Sequence, residues 1–288
     1  MSFTTEQLSE WLPTVIELAD AAGTEILRVY DSAFSVTFKS DRSPLTEADL
    51  GAQRIISAGL TQLTPEIGVL GEESPPEVFQ QRRGWTSLWL VDPLDGTREF
   101  VKRNGEFTVN IALIDAGAPV LGVVYAPAKG LLYAAARGAG AFRRNADGSR
   151  APIEVRRHAP ATLRILGSRS HADAKLDGML ERLGPHERVS IGSALKFGLL
   201  AEGRGDLYVR RGTTCEWDTA AGQAVVLEAG GCVVDFEGQP LRYNAHDHVK
   251  NPWFIAYADR SREWAALLAA PTAPVHGSGP VASSSRDG

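Results

Sequence analysis

The chain of 288 residues has only two cysteines, Cys215 and Cys232, which is too few for a disulfide framework and fits a reducing compartment. No apolar run approaches the ~20 residues that a membrane-spanning helix needs, so no integral membrane segment is expected. The opening stretch, MSFTTEQLSEW, has no basic segment followed by an apolar core, and no signal peptide is read there. The formal net charge of −5 leaves no basic footprint, which argues against a nucleic-acid polymer as partner. It also means that an anionic ligand must be attracted locally, by metal ions or by a few cations. No Rossmann glycine fingerprint is present, which excludes dinucleotide binding of that kind. His158, His171, His186, His246 and His248 show no metal-ligand spacing.

What is present is ordinary for a folded protein: 43% hydrophobic and 23% charged residues, enough for a sizeable core. Residues 4–31 have helical periodicity, with Leu8, Trp11, Leu12, Val15, Ala19, Ala22 and Ile26 recurring on one face. Thr4 and Gln7 have the spacing of a capping box, while Pro13 weakens the first turns. The polar segment KSDRSPLTEAD (39–49) leads into a second helix carrying Ala52, Ile55, Ile56, Leu60 and Leu63, which Pro65 ends. Strand candidates follow: GVL, SLWLV, FTVNIALI, VLGVVYA and LLYAAA. After about residue 155, the strand candidates RILGS, RVSIG, GDLYVR, GCVVDF and WFIAYA are interleaved with helix candidates SALKFGLLAEG and WDTAAGQAVVLEAG. The pattern predicts a layered α/β architecture in two lobes, 1–154 and 155–269. The Pro/Ser/Gly-rich segment 270–288 is expected to be a disordered tail.

The acids carry the chemistry. Glu72 and Glu73 follow the apolar GVL run, and Asp92 and Asp95 follow LWLV. Asp49 and Asp218 stand in the first turns of helix candidates, where capping alone would explain either one. Capping explains Asp92 and Asp95 poorly. Two acids separated by Pro93-Leu94 at the exit of a buried strand raise each other's pKa and destabilise the fold unless a cation holds them. A hard divalent ion with oxygen ligands relieves this. Gly96 and Thr97 add a close-approach backbone and a hydroxyl, which suit a phosphate-sized anion. Together these features suggest metal-assisted phosphoryl chemistry. Cys215, beside the acids, is expected to be a packed residue, with a reactive thiol as the alternative.

GEES, WLVDPLDGTREF and EWDTAAGQAVVLEAGG resemble the inositol monophosphatase superfamily of lithium-sensitive, magnesium-dependent phosphatases. KSDRSPLTEAD, NGEFTVNIALI, GSRSH and GSALKFGLLAEGRGDLYVR resemble its bacterial CysQ type, the 3′(2′),5′-bisphosphate nucleotidases. The resemblance runs from about residue 12 to residue 257. It implies an alternating α-β-α-β-α sandwich and two to three Mg²⁺ held by Glu72, Asp92, the Leu94 carbonyl, Asp95 and Asp218. It further implies that Asp49 and Thr97 orient the attacking water, that the backbone of Gly96 and Thr97 binds phosphate, and that Glu72 and Asp218 also face the substrate. Glu73, Ser168 and His171 would support the site from behind or contact the nucleoside. A second phosphate on the substrate needs cations; Lys196, Arg210 and Arg211 are placed to supply them, and Ser193 stands beside Lys196 at or near a helix N-terminus. The implied reaction converts 3′-phosphoadenosine 5′-phosphate, a by-product of sulfate assimilation, to AMP. Two alternatives stay open at this point: an inositol-1-phosphate or other small sugar phosphatase, and a non-catalytic divalent-cation-binding regulatory protein. The sequence is compatible with a monomer or a homodimer, in the cytoplasm or at the periphery of the inner membrane.

Overall fold

The computed structural model describes residues 2–38, 44–169 and 174–269. In chain order its elements are α1 (Thr5–Tyr30), β1 (Thr37–Phe38), β2 (Pro44–Leu45), α2 (Glu47–Leu63), β3 (Gly68–Gly71), α3 (Pro76–Gln81), β4 (Ser87–Asp95), α4 (Thr97–Val101), β5 (Thr108–Asp115), β6 (Ala118–Ala126), β7 (Leu131–Ala136), β8 (Gly140–Arg144), β9 (Arg150–Pro152), β10 (Leu163–Ser168), α5 (Ala174–Glu181), β11 (His186–Ile191), α6 (Leu195–Ala201), β12 (Leu207–Arg210), α7 (Glu216–Glu228), β13 (Cys232–Asp235), β14 (Phe254–Tyr257) and α8 (Trp264–Ala269). The tail 270–288 lies outside the described residues.

Strands β3 to β9 form a seven-stranded sheet in sequence order, antiparallel except for the β3/β4 pair. A five-stranded sheet has the order β11-β10-β12-β14-β13, with β10 parallel to both of its neighbours. Helices α1 and α2 bury Leu12, Ile26 and Ile56 against Trp89, Val91 and Ile111 on one face of the larger sheet. The opposite face, with Leu90, Ala112 and Ile114, packs against Phe197 of α6 and Ala221 of α7, and these in turn meet Tyr208 and Phe254 of the smaller sheet. A third cluster, Ile165, Leu180, Ile255 and Trp264, covers the outer face of that sheet. The layers therefore run α-β-α-β-α. Helix α7 lies close to the large sheet because β6 carries Gly122, where a Cβ would stand 2.5 Å from the Ala221 carbonyl oxygen.

The expected capping box closes α1, with Thr4 N–H donating to Gln7 Oε1 at 3.0 Å. Pro13 does not break the helix. It sits on the exposed face, so the carbonyl it leaves without a helical donor can meet water while the apolar stripe stays buried. The strand SLWLV continues further than its apolar run suggests, through Asp92 to Asp95. It does so by a register shift: Asp92 pairs with Asn110 and Asp95 with Thr108, so Pro93 and Leu94 together oppose one residue. Asn110 and Thr108 are two apart and share a face, and the shift therefore puts Asp92 and Asp95 on that same face. It is the face that also carries Ala112 and Ile114 and packs against α7. Proline is tolerated there because a bulge residue need not donate to the ladder.

Candidate active site

Each acid has its own local support. At the start of α2, Asp49 Oδ2 accepts from both the backbone N–H and the hydroxyl of Thr46, at 2.7 Å each. Its other oxygen lies 3.5 Å from Thr97 Oγ1, whose second potential acceptor is the Leu94 carbonyl at 3.3 Å. Burial pushes the Asp49 carboxyl up to about 6 against the Thr46 hydrogen bonds, and the charges of Glu73 and Glu72 add to the rise. Asp92 Oδ1 accepts from the Leu94 N–H at 3.0 Å, which fixes the side chain across the bulge. At the start of α7, Asp218 Oδ2 accepts from the Cys215 N–H at 2.8 Å. Asp95 accepts from Asn110 Nδ2 at 3.4 Å and from the backbone N–H of Ala194.

Burial raises Asp92 well above the usual carboxylate range, and the charges of Glu72, Asp95 and Asp218 raise it further. Burial and the Asp95 charge push Asp218 up to about 8. Asp95 is raised by burial too, although Lys196 and its hydrogen bonds oppose the shift. Among the described residues no three His, Cys, Asp or Glu side chains already close around one point tightly enough to hold an ion as they stand. The donor set nevertheless fits a hard cation. It consists of oxygens, the carboxylates destabilise one another in a buried place, and two further buried oxygens, Thr108 Oγ1 and Asn110 Oδ1, have no hydrogen-bond partner on the same strand face.

A cavity of about 270 Å³ opens beside these acids. Asp95, Gly96, Thr97 and Asp218 line it together with Ser168, Ser193, Lys196 and Arg210, and the Lys196 and Arg210 charges act on Asp95 and Asp218 respectively. Gly96 caps α4 in the left-handed conformation, φ 88°, where a side chain would also crowd the Glu106 carbonyl oxygen and Ser193 Cβ. Ser193 has φ 48°, which is uncommon for a residue with a Cβ. Lys196 is buried and already engaged, its ammonium donating to the carbonyls of Ser193 at 2.5 Å and Ile191 at 3.3 Å. Burial lowers it to about 8 although Asp95 pulls the other way.

The chain matches the inositol monophosphatase family over residues 7–272. It belongs to that family. The family's members are metal-dependent phosphatases, and the chain is a phosphatase hydrolase. It is 52% identical over 245 residues to a 3′(2′),5′-bisphosphate nucleotidase CysQ of Escherichia coli O157:H7, covering 84% of this chain and 98% of the relative. A Haemophilus influenzae protein of the same name is 35% identical over 258 residues, 89% of this chain and 96% of its own length. The crystal structure of CysQ from Bacteroides thetaiotaomicron superposes with a TM-score of 0.75 at 39% identity, covering 86% of this chain and 97% of that one.

Several residues singled out in the sequence of this family member stand apart from the cavity wall. Asp49, Glu72, Glu73, Asp92 and Leu94 are not part of its lining, and Asp49 approaches it through Thr97. Arg211 places its guanidinium over the Trp253 ring at 4.5 Å, whereas Arg210 lines the cavity. His171 lies outside the described residues. The Cys215 thiol is pushed up to about 11 by burial and by the Asp218 charge, so it is protonated and unreactive at neutral pH, and Lys250 Nζ donates to its sulfur at 3.3 Å. Sequence reading passed over Arg98, Glu99, Tyr208, Thr213 and Thr214, which also line the cavity. A signal was available for the two threonines: they occupy the loop between GDLYVR and EWD, at the carboxyl end of a strand, where α/β sheets place ligand sites.

Proposed function

We propose that the chain removes the 3′-phosphate of 3′-phosphoadenosine 5′-phosphate, yielding AMP and inorganic phosphate, with two to three Mg²⁺ as its ions. The observation that carries this reading is a cavity whose lining joins Asp95, Thr97 and Asp218 to Lys196 and Arg210. The acids suit a phosphate being cleaved with metal help; the cations suit a second, retained phosphate. The bisphosphate in the names of the two nucleotidase relatives described above supports the same choice. On this reading residues 1–154 supply most of the ion ligands and residues 155–269 complete the site and bind substrate.

Glu72, Asp92, the Leu94 carbonyl, Asp95 and Asp218 would hold the ions. When bound, they supply positive charge for the phosphoryl oxygens and acidify the attacking water. Backbone N–H groups of Gly96 and Thr97 would bind the scissile phosphate. Asp49 and Thr97 orient the water and accept its proton at Asp49 Oδ1, the oxygen that does not cap α2. Water attacks phosphorus directly as its proton passes to Asp49, the bond to the ribose 3′-oxygen breaks, that oxygen takes a proton from solvent to leave as the 3′-hydroxyl, and no side chain acts as nucleophile. Arg210 Nε is buried without a hydrogen-bond partner and is suited to the 5′-phosphate.

The test is a phosphate-release panel with the 3′,5′-bisphosphate nucleotide, its 2′ isomer, AMP, inositol 1-phosphate and fructose 1,6-bisphosphate, each with Mg²⁺ or chelator. The highest kcat/KM is expected for the bisphosphate nucleotides, with no turnover in chelator. A preference for inositol 1-phosphate would replace the substrate reading, and metal-independent turnover would remove the ion assignment.

A further inference from the structure

The cavity wall that carries Ser193 is held from outside by a pair of residues that the chemistry above does not use. Glu106, just before β5, accepts from the backbone N–H of Gly192 at 2.8 Å. Its two carboxylate oxygens also receive Arg169 Nε at 2.7 Å and Nη2 at 2.8 Å, a bidentate pair. Arg169 Nη2 donates in addition to the Ser190 carbonyl at 2.8 Å. The backbone of Glu106 is wedged at the same place: a Cβ on Gly192 would stand 2.5 Å from its carbonyl oxygen, and one on Gly96 would stand 3.2 Å from it. The phosphate turn and the wall thus meet across one residue. The inner end of the wall is fixed separately, by the Ala194 N–H on Asp95 and by Lys196 on the Ile191 and Ser193 carbonyls. Burial works to raise the Glu106 carboxyl, but Arg169, the Gly192 N–H and the Lys129 charge together outweigh it and hold the group below its ordinary range, so the pair is charged at neutral pH.

We infer that Glu106, clamped by Arg169, is a positioning residue that sets the distance between the Gly96 phosphate turn and the Ser190–Ser193 wall, and thereby the preference for substrates carrying two phosphates. The inference rests on the substrate reading above. A substrate with only the scissile phosphate needs the Gly96–Thr97 turn and the acids; one with a retained phosphate also needs the wall that carries Ser193 and Lys196, whose distance from that turn the clamp sets.

Steady-state kinetics on the bisphosphate nucleotide and on inositol 1-phosphate test it, using the full chain with Mg²⁺ and the variants Glu106→Gln, Arg169→Gln and Arg169→Lys. Arg169 is about half exposed, with 45% of its side chain open to solvent, so its variants keep the fold testable even if Glu106→Gln does not. Loss of the charged clamp is expected to raise KM for the bisphosphate about 5- to 10-fold with kcat within about twofold, and to leave inositol 1-phosphate within about twofold. Arg169→Lys should recover part of the loss, since it keeps the charge without the fork. Equal losses on both substrates, accompanied by a lower Tm, would make the pair merely structural and overturn the inference. A wild type that prefers the bisphosphate and variants that keep that preference overturn the clamp alone; a wild type without the preference overturns the substrate reading and the clamp together.

Discussion

The acids and the cations of the site are built on opposite electrostatic terms. Asp92, Asp95 and Asp218 are buried and repel one another; each accepts from a local N–H or amide donor, and the Lys196 and Arg210 charges offset only part of the rise at Asp95 and Asp218. Lys196 is already paired with two carbonyls of its own loop, whereas Arg210 Nε is buried without a partner. The acids therefore lack something that an ion supplies, and among the cations it is Arg210 that lacks a ligand. The difference teaches that the ion should govern both turnover and stability, whereas the cations should govern selectivity.

The sharpest way to break this contrast is Asp92→Asn, which removes one charge while preserving shape. Phosphate release at saturating Mg²⁺ should fall by about 10²- to 10³-fold, the scale of losing one preorganised electrostatic contact. In chelator the same variant should melt no lower than wild type, because repulsion is relieved. Near-normal turnover in the variant would remove Asp92 from the site.

Among the cations, Lys196→Ala and Arg210→Ala should each lower kcat/KM for the bisphosphate by roughly 10- to 100-fold, the scale of a charge-assisted hydrogen bond, with little change on inositol 1-phosphate. The ratio between substrates is the quantity to measure. Because Lys196 also holds the Ile191 and Ser193 carbonyls, its loss should lower the Tm as well, and Arg210→Ala should not. Equal losses on both substrates in both variants would place the retained phosphate elsewhere.

A smaller effect comes from pH. Folded-state values of about 6 for Asp49 and about 8 for Asp218, against an ordinary 3.8, mean that the ion-free fold binds more protons than the unfolded chain between those limits. The stability this contributes is fully present below about 3.8 and is lost as pH rises through about 6 and then about 8. In chelator the Tm should fall from pH 5 to pH 8, and the rise caused by MgCl₂ should grow over the same interval by several degrees, about 2–4 °C per kcal/mol for a chain of this size. Thermal melts at four pH values with and without Mg²⁺ check the sign; an Mg²⁺ shift that shrinks with pH contradicts it. The smallest effect belongs to Cys215: iodoacetamide at pH 7.5 should leave phosphate release unchanged, since the protonated thiol is a poor nucleophile.

Much of the fold was legible because both halves of the chain write their periods plainly. The heptad-like face from Leu8 to Ile26 and the run LWLV, buried on both sides in the sheet, leave little ambiguity. The register shift at Pro93-Leu94 was not legible. Nothing in the spacing of Asp92 and Asp95 says which face each takes until the pairing with Asn110 and Thr108 is known. Of the site, the acids stood out because carboxylates at strand exits are costly without a purpose. The cations were harder, since neighbouring Arg210 and Arg211 look alike in sequence. Arg210 is the last residue of β12 and lines the cavity, whereas Arg211, just past the strand, lies against Trp253, and the sequence does not say where the strand ends. The Glu106–Arg169 pair joins residues 63 apart, and no local pattern announces such a contact.

Asp49 and Asp218 each close a capping box with one oxygen, bonded to Thr46 and Cys215 respectively. This is why a capping role and a role in the site were both reasonable for the same two residues: on the proposed mechanism each carboxylate divides them between its two oxygens. A glutamate at either position would still suit the box, a place where Glu is a favoured partner, but its extra methylene would carry the second oxygen away from the site. Such a chain would keep its helix cap while losing most of its turnover, with a loss of stability no larger than an extra buried methylene brings, about 1–3 kcal/mol. Loss of function with the cap kept is thus one mutation away at two places, and screening this family for stability or abundance alone would not single it out.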